Sequence, residues 1–194
     1  MRTRTIAAAT IAAAFLLSLT ACSSDNGATV TKSDAKPEPA ATTSSAAPEP
    51  KQQTTFIVGE TADIKDKPNN ITFSAAVIAY TQPVKGPQPP GDELGGDAWA
   101  TAEIKVCNTG ATTFTVSQFP WSLAYEDGTR VEVTGLNGGD LPKPEFPTDD
   151  VSVKPDRCVR GKIPFPVQSS TRPQYIVYAP DAIDEPLEWA VPAT

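Results

Sequence analysis

Three cysteines and several pairs of neighbouring carboxylates are the side chains of this 194-residue chain with types suited to chemistry. The chain has no histidine, which excludes Ser-His-Asp and Cys-His nucleophiles and histidine-based metal sites. Glycosidase chemistry needs two carboxylates across a cleft, whereas adjacent acids in loops are typical of solvated turns. We therefore predict neither an enzyme nor a cofactor. The pairs are Asp92-Glu93, Glu126-Asp127, Asp149-Asp150 and Asp184-Glu185.

Cys22 follows an apolar leader and is the predicted site of lipidation. The leader has a positively charged start, and its apolar run, 6–19, is shorter than a membrane-spanning helix of about 20 residues. Its ending, Leu19-Thr20-Ala21-Cys22, resembles the bacterial lipobox, which implies cleavage before the cysteine and attachment of lipid. Two acyl chains are enough for stable anchoring. The alternative is an ordinary secretory leader cut near Ala21.

Cys107 and Cys158 are the thiols that remain after lipidation, and an exported chain favours their pairing as a disulfide. Each shares its strand parity with two charged residues, so each lies on the water-facing side of a predicted strand. We expect a bridge near the surface, between neighbouring strands or their ends, unlike the core-crossing disulfide of antibody domains. Two unpaired thiols are the alternative, and a metal site on two lone cysteines is less favoured still. The charged neighbours are Glu103, Lys105, Arg160 and Lys162.

Alternation of apolar and polar residues predicts short β-strands through most of the chain after residue 54. The clearest, 97–108, places Ile104 and Val106 on its apolar side, and no amphipathic helix pattern is present. Short strands with turn residues between them predict an all-β, immunoglobulin-like antiparallel sandwich of about nine strands. The extended segments are 55–58, 61–65, 70–80, 97–108, 113–116, 121–125, 130–133, 151–154, 158–167, 174–178 and 187–191.

The core is predicted from the parity of the large apolar residues. Trp121 and Trp189 share parity with apolar neighbours and are expected inside. In the segment 70–80, the inward residues are expected to alternate through Ala79. Between two later segments, Asp127-Gly128 predicts a two-residue type I′ hairpin. The full inward set from the clearest segments is Ile71, Phe73, Ala75, Val77, Ala79, Ala100, Ala102, Ile104, Val106, Val159, Gly161, Ile163 and Phe165.

Two loops rich in proline and glycine, 82–96 and 135–150, are predicted to hold neither strand nor helix. Loops on a rigid sandwich commonly carry function, so we expect both to contact a partner. Trp99 has the outward parity beside the first loop, where it either touches that partner or shields the disulfide. The candidate contact residues are Lys85, Glu93, Leu94 and Trp99.

One acidic segment is a candidate for calcium. Asp181, Asp184 and Glu185 offer three oxygen donors within five residues. Calcium usually takes six to eight oxygen ligands, and the spacing is not that of an EF-hand. We therefore predict no metal site, with this segment as the candidate to check.

The predicted organisation is a signal peptide (1–21), a lipidated cysteine and disordered tether (22–53), and a folded domain (54–194). Residues 23–53 are mostly Ser, Thr, Ala, Pro, Lys and Glu, so little burial offsets the entropy of ordering. About 30 residues at roughly 3 Å each would hold the domain up to about 90 Å from the membrane. The alternative is a recognition tail of mixed charge.

The order of these pieces resembles a known group of proteins. IKVCNTG, the following FPWSLAYEDGTR, the later KPDRCVRGKIPFPV and the closing tyrosine and tryptophan strands look like actinobacterial lipoproteins with a domain of unknown function. That domain is similar to the telokin-like, immunoglobulin-like fold of secreted mycobacterial immunogenic proteins. The resemblance covers about residues 54–192. It implies a sandwich outside the membrane and transfers no active-site residue.

Charge and location narrow the function classes. The formal net charge is −7, which disfavours nucleic acid as a partner. The leading hypothesis is a binding module for a protein or envelope component, held by its lipid in the outer leaflet of the cytoplasmic membrane. A structural or accessory subunit of a membrane enzyme or transporter is the alternative, and an enzyme comes third.

Overall fold

The computed structural model describes residues 28–32, 54–85 and 88–193. The predicted leader, Cys22 and the segment 33–53 lie outside the described residues. Within the described part, no helix is long and apolar enough to cross a membrane. The elements are β1 (Thr29–Lys32), β2 (Thr55–Ile57), β3 (Thr61–Asp66), β4 (Ile71–Thr81), a 3-10 turn (Asp92–Leu94), β5 (Ala98–Asn108), β6 (Phe114–Val116), β7 (Trp121–Ala124), β8 (Arg130–Glu132), β9 (Val151–Val153), β10 (Cys158–Val167), β11 (Tyr175–Tyr178) and β12 (Leu187–Ala190).

The strands form two five-stranded sheets and a small third sheet. The first sheet has the order β1-β3-β4-β5-β10, the second β2-β12-β11-β7-β8, and the third pairs β6 with β9. All pairings are antiparallel except that of β2 with β12, which is parallel. The all-β sandwich prediction is confirmed, with twelve described strands where about nine were expected.

The core lies between the two large sheets, as the alternation predicts. Ile104 and Val106 of β5 and Ile163 and Phe165 of β10 are fully buried. Trp121 and Trp189 come from the second sheet, and their ring centroids are 5.8 Å apart. Burying a large apolar side chain contributes about 1.5–3 kcal/mol, so these inward faces are the main source of stability.

A β-bulge corrects the predicted register of β4. Phe73, Ala75 and Val77 are buried as expected. The register then shifts between Val77 and Ala79, so that Tyr80 rather than Ala79 falls opposite the inward-facing Ala102. A bulge inserts one residue and exchanges the two faces beyond it, which simple alternation does not predict.

The β7–β8 hairpin also differs from the prediction. Gly128 has a positive φ of 85°, whereas Asp127 does not, so the turn is not type I′. The backbone N–H of Gly128 donates to the carbonyl of Tyr125 at 3.1 Å, and that of Tyr125 to Thr129 at 2.9 Å. This pattern is a three-residue loop that ends in a left-handed glycine.

The strand β1 differs from the prediction of a disordered tether. Thr29–Lys32 lies inside the segment 22–53, yet it pairs with β3 over four residues. Val30 is 4% exposed and belongs to the core cluster. One buried valine and an edge pairing were enough to order a segment whose composition predicts disorder.

The two predicted loops are partly structured. The first contains the 3-10 turn Asp92–Leu94. In the second, Phe146 is buried in the core, and its N–H donates to the Lys162 carbonyl of β10 at 3.0 Å. Gly161 permits this approach, because a Cβ there would lie 2.4 Å from the backbone of Glu145 and Phe146. The segment 135–150 is therefore not the free loop that its proline and glycine content predicts.

Candidate functional site

Cys107 and Cys158 form a disulfide between adjacent strands. They are directly opposite each other where β5 ends and β10 begins, and Cys158 is exposed. The prediction of a surface bridge between neighbouring strands is confirmed. We call this end of the sandwich the disulfide end.

Asn108, the residue after Cys107, attaches the third sheet to the disulfide end. Its buried side-chain amide donates to the carbonyls of Thr112 and Val153, both at 2.8 Å. Its side-chain oxygen accepts from the N–H of Gly110 at 3.0 Å. A single asparagine thus holds the β5–β6 turn and β9 together. This role is not evident from the sequence, because Asn-Thr-Gly predicts only a turn.

A cleft of about 580 Å³ opens at the disulfide end, between the third sheet and the edge of the sandwich. Phe73, which lines it, lies directly opposite Asn108. The volume of the cleft is within the range of small-molecule and side-chain pockets. The lining residues come from the start of β4, from β6 and the turn after it, from the residue before β9, and from the end of β11: Ile71, Phe73, Phe114–Val116, Ser117, Phe119, Pro120, Asp150 and 178–182.

Aromatic rings form much of the cleft wall. The rings of Phe73 and Phe114 are 5.2 Å apart, which joins β4 to the third sheet. Tyr178 stacks on Trp121 at 4.2 Å, and burial raises the pKa of its hydroxyl. Tyr178 therefore stays neutral at physiological pH. The wall offers apolar contact and not a charged nucleophile.

Phe119 projects at the rim of the cleft and is 61% exposed. Alternation assigns it the inward parity of Trp121, but the chain turns here, since the N–H of Trp121 donates to the carbonyl of Gln118 at 3.0 Å. The turn directs Phe119 outward and buries Gln118. Parity holds only within a strand, so no sequence pattern predicts that this ring is exposed.

The charged residues that line the cleft are acidic. Asp150 and Asp181 line it, and no lysine or arginine is among its lining residues. Asp149 precedes Asp150 and is also exposed. An apolar wall with carboxylates at its edge suits a ligand that carries an apolar group beside a positive charge.

A family model described as a domain of unknown function, DUF4352, matches residues 56–187. The chain belongs to this family. The crystal structure of MPT63, a secreted protein from Mycobacterium tuberculosis, resembles this DUF4352 domain with a TM-score of 0.56 and 18% sequence identity. The match covers 75% of this chain and 99% of MPT63, and at this identity it shows the fold alone. No curated protein matches the chain.

The contact residues expected from the loop 82–96 lie at the other end of the DUF4352 domain. Trp99 is 6% exposed, and its indole N–H donates to the carbonyl of Gln88 at 2.8 Å, so the loop covers it. Lys85 and Glu93 are exposed, and Leu94 is half-buried. They are not brought together with the cleft.

The disulfide-shielding role considered for Trp99 is wrong. Trp99 lies opposite Pro166, while Cys107 lies opposite Cys158, eight residues further along β5. At roughly 3.3 Å per residue they are about 26 Å apart. Their shared parity places Trp99 and Cys107 on the same face of β5, but it does not indicate how far apart they are along the strand.

The acidic segment lies on the surface of the DUF4352 domain. Asp181, Asp184 and Glu185 are all exposed, and the described residues contain no group of three acidic, cysteine or histidine side chains able to hold a metal ion. Asp181 instead contributes charge to the cleft. The positions of these side chains therefore give the calcium interpretation no support.

Proposed function

We propose that this protein is a lipid-anchored module on the outer face of the cytoplasmic membrane that binds another protein through the cleft. The leader and the lipobox-like ending at Cys22 support export and anchoring. The disulfide supports an oxidising compartment. MPT63, which shares the fold, is itself described as a secreted protein.

The observation that carries this proposal is the exposed Phe119 ring at the rim of an aromatic cleft. Solvation of a large apolar side chain is unfavourable, and covering a phenylalanine contributes about 1.5–3 kcal/mol. Binding hot spots typically combine such an aromatic anchor with a neighbouring pocket. Phe119 and the cleft supply both parts on one surface.

The acidic rim defines the chemistry of the partner. Asp150 and Asp181 would favour lysine or arginine next to an apolar side chain that enters the cleft. The negative formal charge of the whole chain has the same effect over longer distances. We infer that the partner presents a segment that is both basic and apolar.

The test compares two equally exposed apolar residues on different surfaces. Phe119 is 61% and Ile57, on the β2 edge, is 60% exposed. Tagged full-length chains carrying Phe119→Ser or Ile57→Ser are cross-linked in their native cells and isolated. Both should keep the free energy of unfolding within about 0.5 kcal/mol. The amount of cross-linked partner isolated with the tagged chain should fall at least tenfold for Phe119→Ser only. Equal capture by both variants would overturn the proposal.

A further inference from the structure

β1 fixes where the anchored chain enters the domain. Thr29 pairs with Lys65 of β3, and Lys65 pairs with Thr72 of β4. Thr72 lies between Ile71 and Phe73, which line the cleft. With strands about 4.8 Å apart, Thr29 is about 10 Å from the cleft-lining part of β4.

The docked strand also shortens the connection to the membrane. Thr29 is seven positions after Cys22 in the chain, and this stretch spans at most about 25 Å. Without β1 pairing, the connection would run from Cys22 to Thr54, which is 32 residues, or up to about 110 Å. When β1 is paired, residues 33–53 no longer determine the distance between anchor and domain.

Contacts along its whole length hold β1 in place. Val30 is opposite the fully buried Ile64 and joins the core cluster. Lys32, at the other end of the strand, forms an ion pair with Glu60. The four-residue pairing with β3 supplies the backbone hydrogen bonds of an edge strand.

We propose that β1 is a strap that keeps the cleft within about 35 Å of the bilayer, and that the cleft binds an outward-facing segment of a protein embedded in the same membrane. This inference rests on the proposed anchoring and cleft binding. The partner segment is short, basic and apolar, in keeping with Asp150 and Asp181. The lipid surface itself is disfavoured, because anionic headgroups repel these carboxylates.

Two insertions of equal length test the strap. A 15-residue Gly-Ser segment is placed between Asn26 and Gly27, before β1, or between Thr43 and Ser44, after it. Fully extended, it adds up to about 50 Å. The lipidated chain carries a donor dye on Lys67→Cys, an exposed turn residue next to β3, and is reconstituted in phosphatidylcholine vesicles that contain an acceptor lipid.

The strap predicts that only the insertion before β1 lengthens the connection. Energy transfer to the bilayer should fall severalfold for that insertion and stay unchanged for the one after β1. Adding Val30→Asp should make the second insertion lower the transfer as well. Equal transfer in the two insertion variants with Val30 intact would overturn the strap.

The partner is tested with the same two insertions in native cells. Cross-linking through the cleft should drop at least tenfold for the insertion before β1 and persist for the insertion after it, and the cross-linked species should be an integral membrane protein. The claim of a membrane-embedded partner would be overturned if the cross-linked species were soluble or a lipid. It would also be overturned if the insertion before β1 left the cross-linking yield unchanged. Neither result would contradict cleft binding. If Phe119→Ser leaves capture unchanged, cleft binding itself fails.

Discussion

Val30 on β1 lies directly opposite Ile64 on β3, and both side chains are buried in the core. A segment close to Cys22, the proposed site of lipidation, is therefore part of the folded domain. This relationship links the proposed membrane connection to the disulfide end, where the cleft opens.

Val30→Asp should release β1 without unfolding the domain. The substitution buries a charge with no partner, which an edge strand avoids by leaving the sheet. Hydrogen exchange of the β3 amides should accelerate at least tenfold. Thr29→Asp is the matched control, because Thr29 is an exposed residue of the same strand and lies opposite Lys65. Equal protection in the two variants would contradict the docking of β1.

Acid should weaken the docking of β1. The hydrogen bond from Lys32, and then that from the Ile57 N–H, lower the pKa of Glu60 below its usual value of 4.5. A lowered folded-state pKa contributes stability that is present above pH 4.5 and is lost as the pH falls through the folded-state value.

The Val30 methyl resonances in NMR spectra report this transition. They should move toward released positions as the pH is lowered below about 4.5. Glu60→Gln should remove the carboxylate-dependent part of that change, whereas Glu126→Gln, in the β7–β8 turn, should keep it. A pH response that is the same in all three proteins would assign the effect to another group.

The disulfide should contribute substantially to stability. It closes a loop with a sequence separation of 51 residues, which chain-entropy arithmetic values at about 4 kcal/mol. For a domain of this size, reductant should lower the melting temperature by roughly 10–15 °C in calorimetry. The double variant Cys107→Ser/Cys158→Ser should melt at the reduced value with or without reductant. If reductant left the melting temperature of the natural chain unchanged, the disulfide would not contribute to stability.

Asn108→Ala should loosen the cleft as well as the fold. The change leaves the carbonyls of Thr112 and Val153 without their donor and removes a buried amide, at a cost of about 2–3 kcal/mol. Asn137→Ala is the control, since Asn137 is exposed and its amide donates only to Thr148. Chemical denaturation measures the free energy of unfolding of both variants. A cost for Asn108→Ala no larger than that of the control would show that Asn108 does not hold the third sheet.

Alternation predicted the faces of the long strands well. Ile104, Val106, Ile163 and Phe165 are inside, and both cysteines are on the outer face, because burial within a regular strand follows a period of two. The disulfide then followed from the export signal and the number of remaining thiols.

The parts that the sequence did not reveal depend on departures from regular strands or on distant contacts. The bulge after Val77 reversed the faces of β4, and a turn directed Phe119 to solvent. Phe146 and Val30 enter the core from segments of linker-like composition. The cleft was missed for the same reason, since it is made by the turn after β6, by Asp150 and by residues 178–182, which no local pattern connects.

The cleft as the binding surface is tested most directly by photo-cross-linking in native cells. A benzophenone side chain replaces Phe119 in one full-length chain and Ile57, the equally exposed residue of β2, in another. We predict a discrete cross-linked partner from position 119 and none from position 57. Absence of a product at position 119, or the same product from both positions, would contradict the account.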